Sequence, residues 1–201
     1  MKGETPMHDS KELPVPANPY GNDVKEVLIT EDQLQNRIQE LADLVSEKYR
    51  DEKEDLVLIC VLKGAVFFLT DFARKLSIPC QIEFMSVSSY GNSASSSGVV
   101  RILKDLDRDV AGCNVVIVED IIDSGLTLKW LIKNLSGRKP KSLEIVTLLR
   151  KPEAVKTTID CLDIGFDLPN EFVIGYGLDY AEKYRDLPFV ASLNENVYTE
   201  Q

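Results

Sequence analysis

Two kinds of apolar pattern alternate along the chain. Leu34, Ile38, Leu41 and Val45 recur at helical spacing behind Thr30 and Gln33, a capping-box pair, which predicts an amphipathic helix running to about Tyr49. Helical stretches are also predicted over about Ala65 to Leu76 and Leu126 to Leu135. Between them lie short, mainly apolar runs rich in β-branched residues: Leu56 to Leu62, Ile82 to Val87, Val115 to Val118, Leu143 to Leu149 and Phe172 to Ile174. Strands apolar on both faces that alternate with helices predict an α/β fold, a mainly parallel twisted sheet flanked by helices. In such folds ligands bind at the carboxyl ends of strands, so chemistry is sought there.

Composition narrows the classes. At 201 residues, with 44% hydrophobic and 28% charged positions, the chain can bury a core without disulfides or structural metal. Four of the nine prolines fall in the first twenty residues, so residues 1–22 are expected to be an irregular tail and 23–201 a single domain. The net charge of -10 argues against general nucleic-acid binding. The longest apolar run, Leu56 to Leu62, is too short to span a bilayer, and Met1 to Ser10 has no apolar leader. Cys60, Cys80, Cys113 and Cys161 form no C-x-x-C pair and read as reduced thiols, which points to a cytoplasmic location. His8, the one histidine, lies in the polar leader, which excludes a Ser-His-Asp or Cys-His nucleophilic site. Proton transfer falls to a carboxylate, lysine, tyrosine or the substrate.

The densest chemistry follows Val115 to Val118. That strand runs into Glu119-Asp120-Ile121-Ile122-Asp123-Ser124-Gly125-Leu126-Thr127 and then a helical stretch. One reading is a loop whose Asp, Ser and Thr cap a helix. That reading leaves unexplained two adjacent carboxylates closing an apolar strand, which repel each other unless a cation or hydroxyl partner arrives. In the second reading the N–H groups of Ser124, Gly125, Leu126 and Thr127 cradle a phosphate at the helix N-terminus, and Glu119 and Asp120 meet a sugar diol.

Val115 to Thr127 resembles the 5-phosphoribosyl 1-diphosphate binding motif of type I phosphoribosyltransferases. Further strings resemble the hypoxanthine-guanine branch of that family, in its order: Leu62-Lys63-Gly64, Ser89-Tyr90-Gly91, Lys104 to Asp107, Leu149 to Pro152, Phe172 to Tyr180 and Tyr184 to Leu187. The likeness covers roughly Glu26 to Leu193. It implies the type I phosphoribosyltransferase fold with a small hood region.

The resemblance also implies roles. Lys63 and Gly64 would form a pyrophosphate-binding loop with a strained or cis peptide at the glycine, and Ser89 and Tyr90 would open a lid, reaching to Gly98, that excludes water. Lys151 would donate to the purine 6-oxygen, Phe172 would stack on the ring and the Val173 backbone would read its edge. Arg185 would bind pyrophosphate. Glu119, Asp120 and Asp179 would serve magnesium, the expected cofactor, and Asp123 would handle the purine proton. Because 149 and 151 face one side of a strand and 150 the other, Arg150 is expected on the far face or near a neighbouring subunit.

The activity so implied is transfer of 5-phosphoribosyl from phosphoribosyl diphosphate to hypoxanthine or guanine, giving IMP or GMP and pyrophosphate, by a homodimer or homotetramer. Competing motifs fail on spacing. Gly175-x-Gly177 lacks the third glycine of a dinucleotide fingerprint, because Tyr180 stands there, and no G-x-x-x-x-G-K-S/T loop exists. The remaining rival is a regulator that uses this fold to sense phosphoribosyl diphosphate or nucleotides. It would want a nucleic-acid-binding segment, and none is visible.

Overall fold

The computed structural model describes residues 15–90 and 99–199, with the side chains of Ser89, Tyr90, Val99 and Thr199 excepted. The serine-rich lid segment 91–98 and His8 lie outside the described residues. Among the described residues six strands form the main sheet, in the order β4-β3-β2-β5-β6-β7: β2 (Leu56–Leu62), β3 (Gln81–Tyr90), β4 (Val99–Lys104), β5 (Asn114–Ile122), β6 (Ser142–Arg150) and β7 (Asp163–Asp167). All neighbours pair in parallel except β3 and β4. The helices are α1 (Glu31–Tyr49), α2 (Val66–Lys75), α3 (Leu126–Ser136) and a short α4 (Asn196–Thr199).

The apolar runs are continuous because both faces of the sheet are covered. Leu56, Leu58, Cys60, Val116, Val118, Val146 and Leu148 pack on one side with α1 and α2, through Leu34, Ile38, Leu41, Phe68 and Phe72. The alternate residues Val57, Ile59, Val115, Ile117 and Ile145 face the other side and meet Leu128, Leu131 and Leu135 of α3. The predicted capping box at α1 is complete: the Thr30 side chain accepts from the Gln33 N–H, and the Gln33 side chain accepts from the Thr30 N–H. Such a cap contributes about 0.5–2 kcal/mol.

Phe172 to Ile174 departs from the parallel-sheet reading. Val173–Ile174 is β8 of a second, three-stranded antiparallel sheet, between the turn at Gly175 and the central strand β9 (Val190–Leu193), whose other neighbour is β1 (Val24–Ile29). This small sheet has its own core, built on Val24, Val27, Ile174, Leu187 and Phe189, and forms the hood beside the carboxyl ends of the main strands. Strands β1, β4, β7 and β9 carry no strong pattern of their own. Gly165 in β7 illustrates why: a Cβ there would come within 2.3 Å of the Leu148 carbonyl oxygen, so close strand approach, not side-chain hydrophobicity, selects the residue.

Candidate active site

The ends of β2, β5 and β6 converge with the hood. A cavity of about 350 Å³ is lined by Lys63 and Gly64 after β2, Asp120, Ile121 and Asp123 at the end of β5, and Lys151 after β6. Its other wall is Phe172, Val173, Leu178, Asp179 and Arg185 from the hood. A second cavity of about 230 Å³ adjoins it, lined by Glu119, Ser124, Gly125, Thr127 and Leu128, with Asp120, Ile121 and Asp123 common to both. Ile121 and Leu178 had no role in the sequence reading. They are ordinary apolar residues, and only the closing of the hood on the sheet makes them walls.

The turn after β5 leaves donors open. Gly125 caps α3 in the left-handed region, at φ 77°, with no side-chain cap bond to the helix N-terminus. A Cβ there would press on Thr157 Cγ2 at 3.2 Å and Ile159 Cγ1 at 3.3 Å, so the position favours glycine on two counts. The Leu126 N–H leans on Ser124 Oγ at 3.4 Å, a long bond that a phosphate oxygen can replace. The Leu126 side chain is exposed and lines neither cavity.

The acidic pair is electrostatically strained. Burial, together with the charge of Asp120, pushes Glu119 well above the usual carboxylate range. Burial raises Asp120 to about 6 against the opposing pull of the Ile121 N–H and of Arg185, with Asp179 adding to the rise. Glu119 Oε2 is sealed from solvent and has no hydrogen-bond partner. These oxygens suit a hard divalent cation. Among the described residues no group of three or more candidate side chains could hold a metal by itself.

The cations divide between the two faces. Lys151 is buried and lines the same cavity as Phe172, and its backbone N–H donates to the Ile122 carbonyl at 2.9 Å. Arg150 turns the other way and makes a bidentate pair with Asp167, at 2.6 and 2.8 Å, beside a different cavity lined by Ile122, Pro152 and Ile164. Arg185 Nη1 donates to the Gly177 carbonyl at 2.7 Å and Nη2 pairs with Asp179 at 2.8 Å. Its Nε is buried and unpartnered. Lys63 pairs with Glu182 at 2.8 Å, and Asp179 also accepts from the Glu182 N–H at 3.0 Å. The cis peptide joins Leu62 to Lys63, one residue ahead of the glycine where the sequence reading expected it. Phe172 lines the cavity and is 42% exposed, and its ring contacts Tyr180 edge-on at 5.4 Å and Tyr198, tilted, at 5.8 Å. Ser89 and Tyr90 end β3, but their side chains lie outside the described residues.

The site therefore brings together an exposed aromatic side chain, a buried lysine, a carboxylate pair, two cationic groups and a helix N-terminus along two adjoining cavities. The phosphoribosyl transferase domain model matches residues 30–181. Over 189 residues the chain is 57% identical to the hypoxanthine-guanine phosphoribosyltransferase of Mycobacterium avium, covering 92% of this chain and 93% of that one. The chain belongs to the hypoxanthine-guanine phosphoribosyltransferase family. Among other family members, the enzyme of Dictyostelium discoideum is 46% identical over 177 residues, 87% of this chain and 98% of that one. The crystal structure of a Staphylococcus aureus hypoxanthine phosphoribosyltransferase superposes with a TM-score of 0.86 at 42% identity, covering 90% of this chain and 98% of that one. The family's type I fold is thus present across both the sheet and the hood.

Proposed function

We propose that the protein transfers the 5-phosphoribosyl group of phosphoribosyl diphosphate to N9 of hypoxanthine or guanine. The C1–O bond to the diphosphate breaks, the C1–N9 bond forms, pyrophosphate leaves with the electron pair, and the N9 proton is lost. The observation that carries this reading is the pair of adjoining cavities, one joining Lys151 and Phe172 to Asp120, Asp179 and Arg185, the other leading from the shared Asp123 to the α3 N-terminus.

In this reading the 5-phosphate sits on the N–H groups of Ser124, Gly125, Leu126 and Thr127, where unpaired donors and the helix dipole favour an anion. Glu119 and Asp120 accept from the ribose hydroxyls and favour positive charge as it develops on the sugar. Phe172 stacks on the base, the Val173 backbone meets its edge, and Lys151 donates to the 6-oxygen. A 6-amino group there would confront the ammonium donor with another donor. Asp123, shared by both cavities, takes the purine proton. Arg185 and the Lys63–Gly64 amides hold the leaving diphosphate. When bound, magnesium would neutralise the diphosphate charge, with Asp179 and the acidic pair as its protein-side oxygen partners, directly or through water. Ser89 and Tyr90 belong to a lid that keeps water from the sugar, since hydrolysis would otherwise compete.

We also propose residues 23–201 as the transferase domain, a homodimer or homotetramer, and a cytoplasmic setting, for which the thiols of Cys60, Cys80 and Cys113 speak. Among the described residues no helix is long and apolar enough to cross a membrane. The regulator reading gains nothing, since the relatives above are enzymes by name. The test is product formation from labelled phosphoribosyl diphosphate and magnesium with a panel of bases. IMP and GMP at enzymatic rates are expected. Tight binding of the diphosphate with no turnover of any base would instead support the sensor.

A further inference from the structure

The loop carrying Arg185 is held from behind by a residue near the other end of the chain. Tyr20 precedes a one-turn helix, Gly21–Asp23, and its backbone is fixed: its N–H donates to Asn18 Oδ1 at 2.9 Å, and its carbonyl accepts from the Asp23 N–H at 3.2 Å. The Tyr20 hydroxyl donates to Asp186 Oδ1 at 2.5 Å and accepts from the Tyr184 backbone N–H at 3.1 Å. These are the two neighbours of Arg185. The Tyr20 ring also packs on the Tyr184 ring, with centroids 4.4 Å apart, and the Tyr184 hydroxyl donates to Asp23 at 2.8 Å.

The loop requires such support. Ala181, Glu182 and Tyr184 have φ of 51°, 63° and 74°, in the left-handed region that non-glycine residues enter at a cost. A backbone of this kind persists only where its surroundings hold it. On the cavity side the Arg185 guanidinium is tied to the Gly177 carbonyl, to Asp179 and, at 3.4 Å, to Glu182, all partners on the same hood turn, so the backbone of the loop sets where this group stands relative to the cavity.

We propose that Tyr20 is a positioning residue for Arg185: its hydroxyl clamps both flanking residues and so sets the guanidinium where the diphosphate binds. The inference rests on the assignment of Arg185 to the diphosphate made above. It assigns a role in substrate binding to a segment that precedes the strands and lines neither cavity. Lys151, just after β6, and Phe172, just before β8, are outside the clamp, so the base side should not feel its loss.

The test is Tyr20→Phe, which keeps the ring packing and removes only the hydroxyl, with folding checked by thermal melting. Loss of hydrogen bonds of this size should weaken magnesium pyrophosphate binding, read by calorimetry, about three- to ten-fold, and raise KM for phosphoribosyl diphosphate similarly. KM for hypoxanthine should not move. In an Arg185→Ala background the same substitution should have no further effect, because the clamp would have nothing left to position. Asp186→Asn, which keeps an acceptor oxygen for the hydroxyl, should retain pyrophosphate affinity. Equal losses on both substrates, no loss at all, a loss that persists in the Arg185→Ala background, or a loss in Asp186→Asn would overturn the proposal. Wild-type protein that binds pyrophosphate but turns over no purine would overturn the transferase reading alone, since calorimetry still reports on the clamp. Wild-type protein that binds no pyrophosphate would overturn the clamp with it.

Discussion

A side chain at position 64 and the carboxylate of Asp120 compete for one place: a Cβ built on Gly64 would lie 1.6 Å from Asp120 Oδ2. From the hood, Gly177 at φ 100° closes on the same point, where its own Cβ would be 1.9 Å from the Gly64 carbonyl oxygen. The Asp120 carboxylate and the hood turn therefore both close on the Gly64 backbone, which leaves no room for a side chain at 64 or 177. Gly64→Ala should displace the loop or the carboxylate and lower kcat/KM by roughly 100-fold, the scale of ångström-sized misplacement of a reacting group. A steady-state assay beside a melting curve would check this. Normal activity in a stable Gly64→Ala protein would mean that the tight approach is incidental.

The protonation of Asp120 should be visible in stability. Its folded-state pKa of about 6 lies above the ordinary value of 3.8, so between these two pH values the folded protein holds the proton more strongly than the unfolded chain. The contribution is full below pH 3.8 and is lost as pH rises through about 6. Asp120→Asn removes the ionised form, so in metal-free, substrate-free protein it should raise Tm relative to the parent above pH 6 and change it little near pH 4. Melting curves across that range would decide, and a variant whose advantage is greatest at low pH would contradict the assignment.

Asp123 is exposed and common to both cavities, where a purine proton would be delivered. If it handles that proton, Asp123→Asn should lower kcat roughly 10²- to 10⁴-fold while phosphoribosyl diphosphate binding is retained. Near-normal turnover would leave Asp123 as no more than part of the turn.

Arg150 and Lys151 should separate cleanly. A charge-assisted hydrogen bond contributes about 1.5–3 kcal/mol, so Lys151→Ala should lower kcat/KM for hypoxanthine by roughly ten- to more than a hundred-fold and erode discrimination against adenine. Arg150→Ala should spare that discrimination and instead lower Tm, because it leaves the buried Asp167 carboxylate without its guanidinium. Base-panel kinetics together with melting curves would test both. Selectivity lost in the Arg150 variant and kept in the Lys151 variant would reverse the assignment.

Four of the main sheet's six strands, its three helices and the motif after β5 were legible in the chain itself. Burial on both faces forces continuous apolar strands, and the left-handed turn that opens α3 selects Gly125, so these demands are written locally. The alternation of side chains along β6 likewise suffices to send Arg150 and Lys151 to opposite faces. The hood followed from the family resemblance and not from local pattern. Val173–Ile174 is too short to declare a separate sheet, and its partners β9 and β1 lie far from it in sequence. Nor could spacing reveal that Gly177 exists to approach Gly64, that Glu182 pairs with Lys63, or that Tyr20, in what reads as a proline-rich tail, grips both neighbours of Arg185. Periodicity and caps express what a residue does to its own segment. Contacts between segments depend on where the chain returns, and only the folded molecule sets that distance.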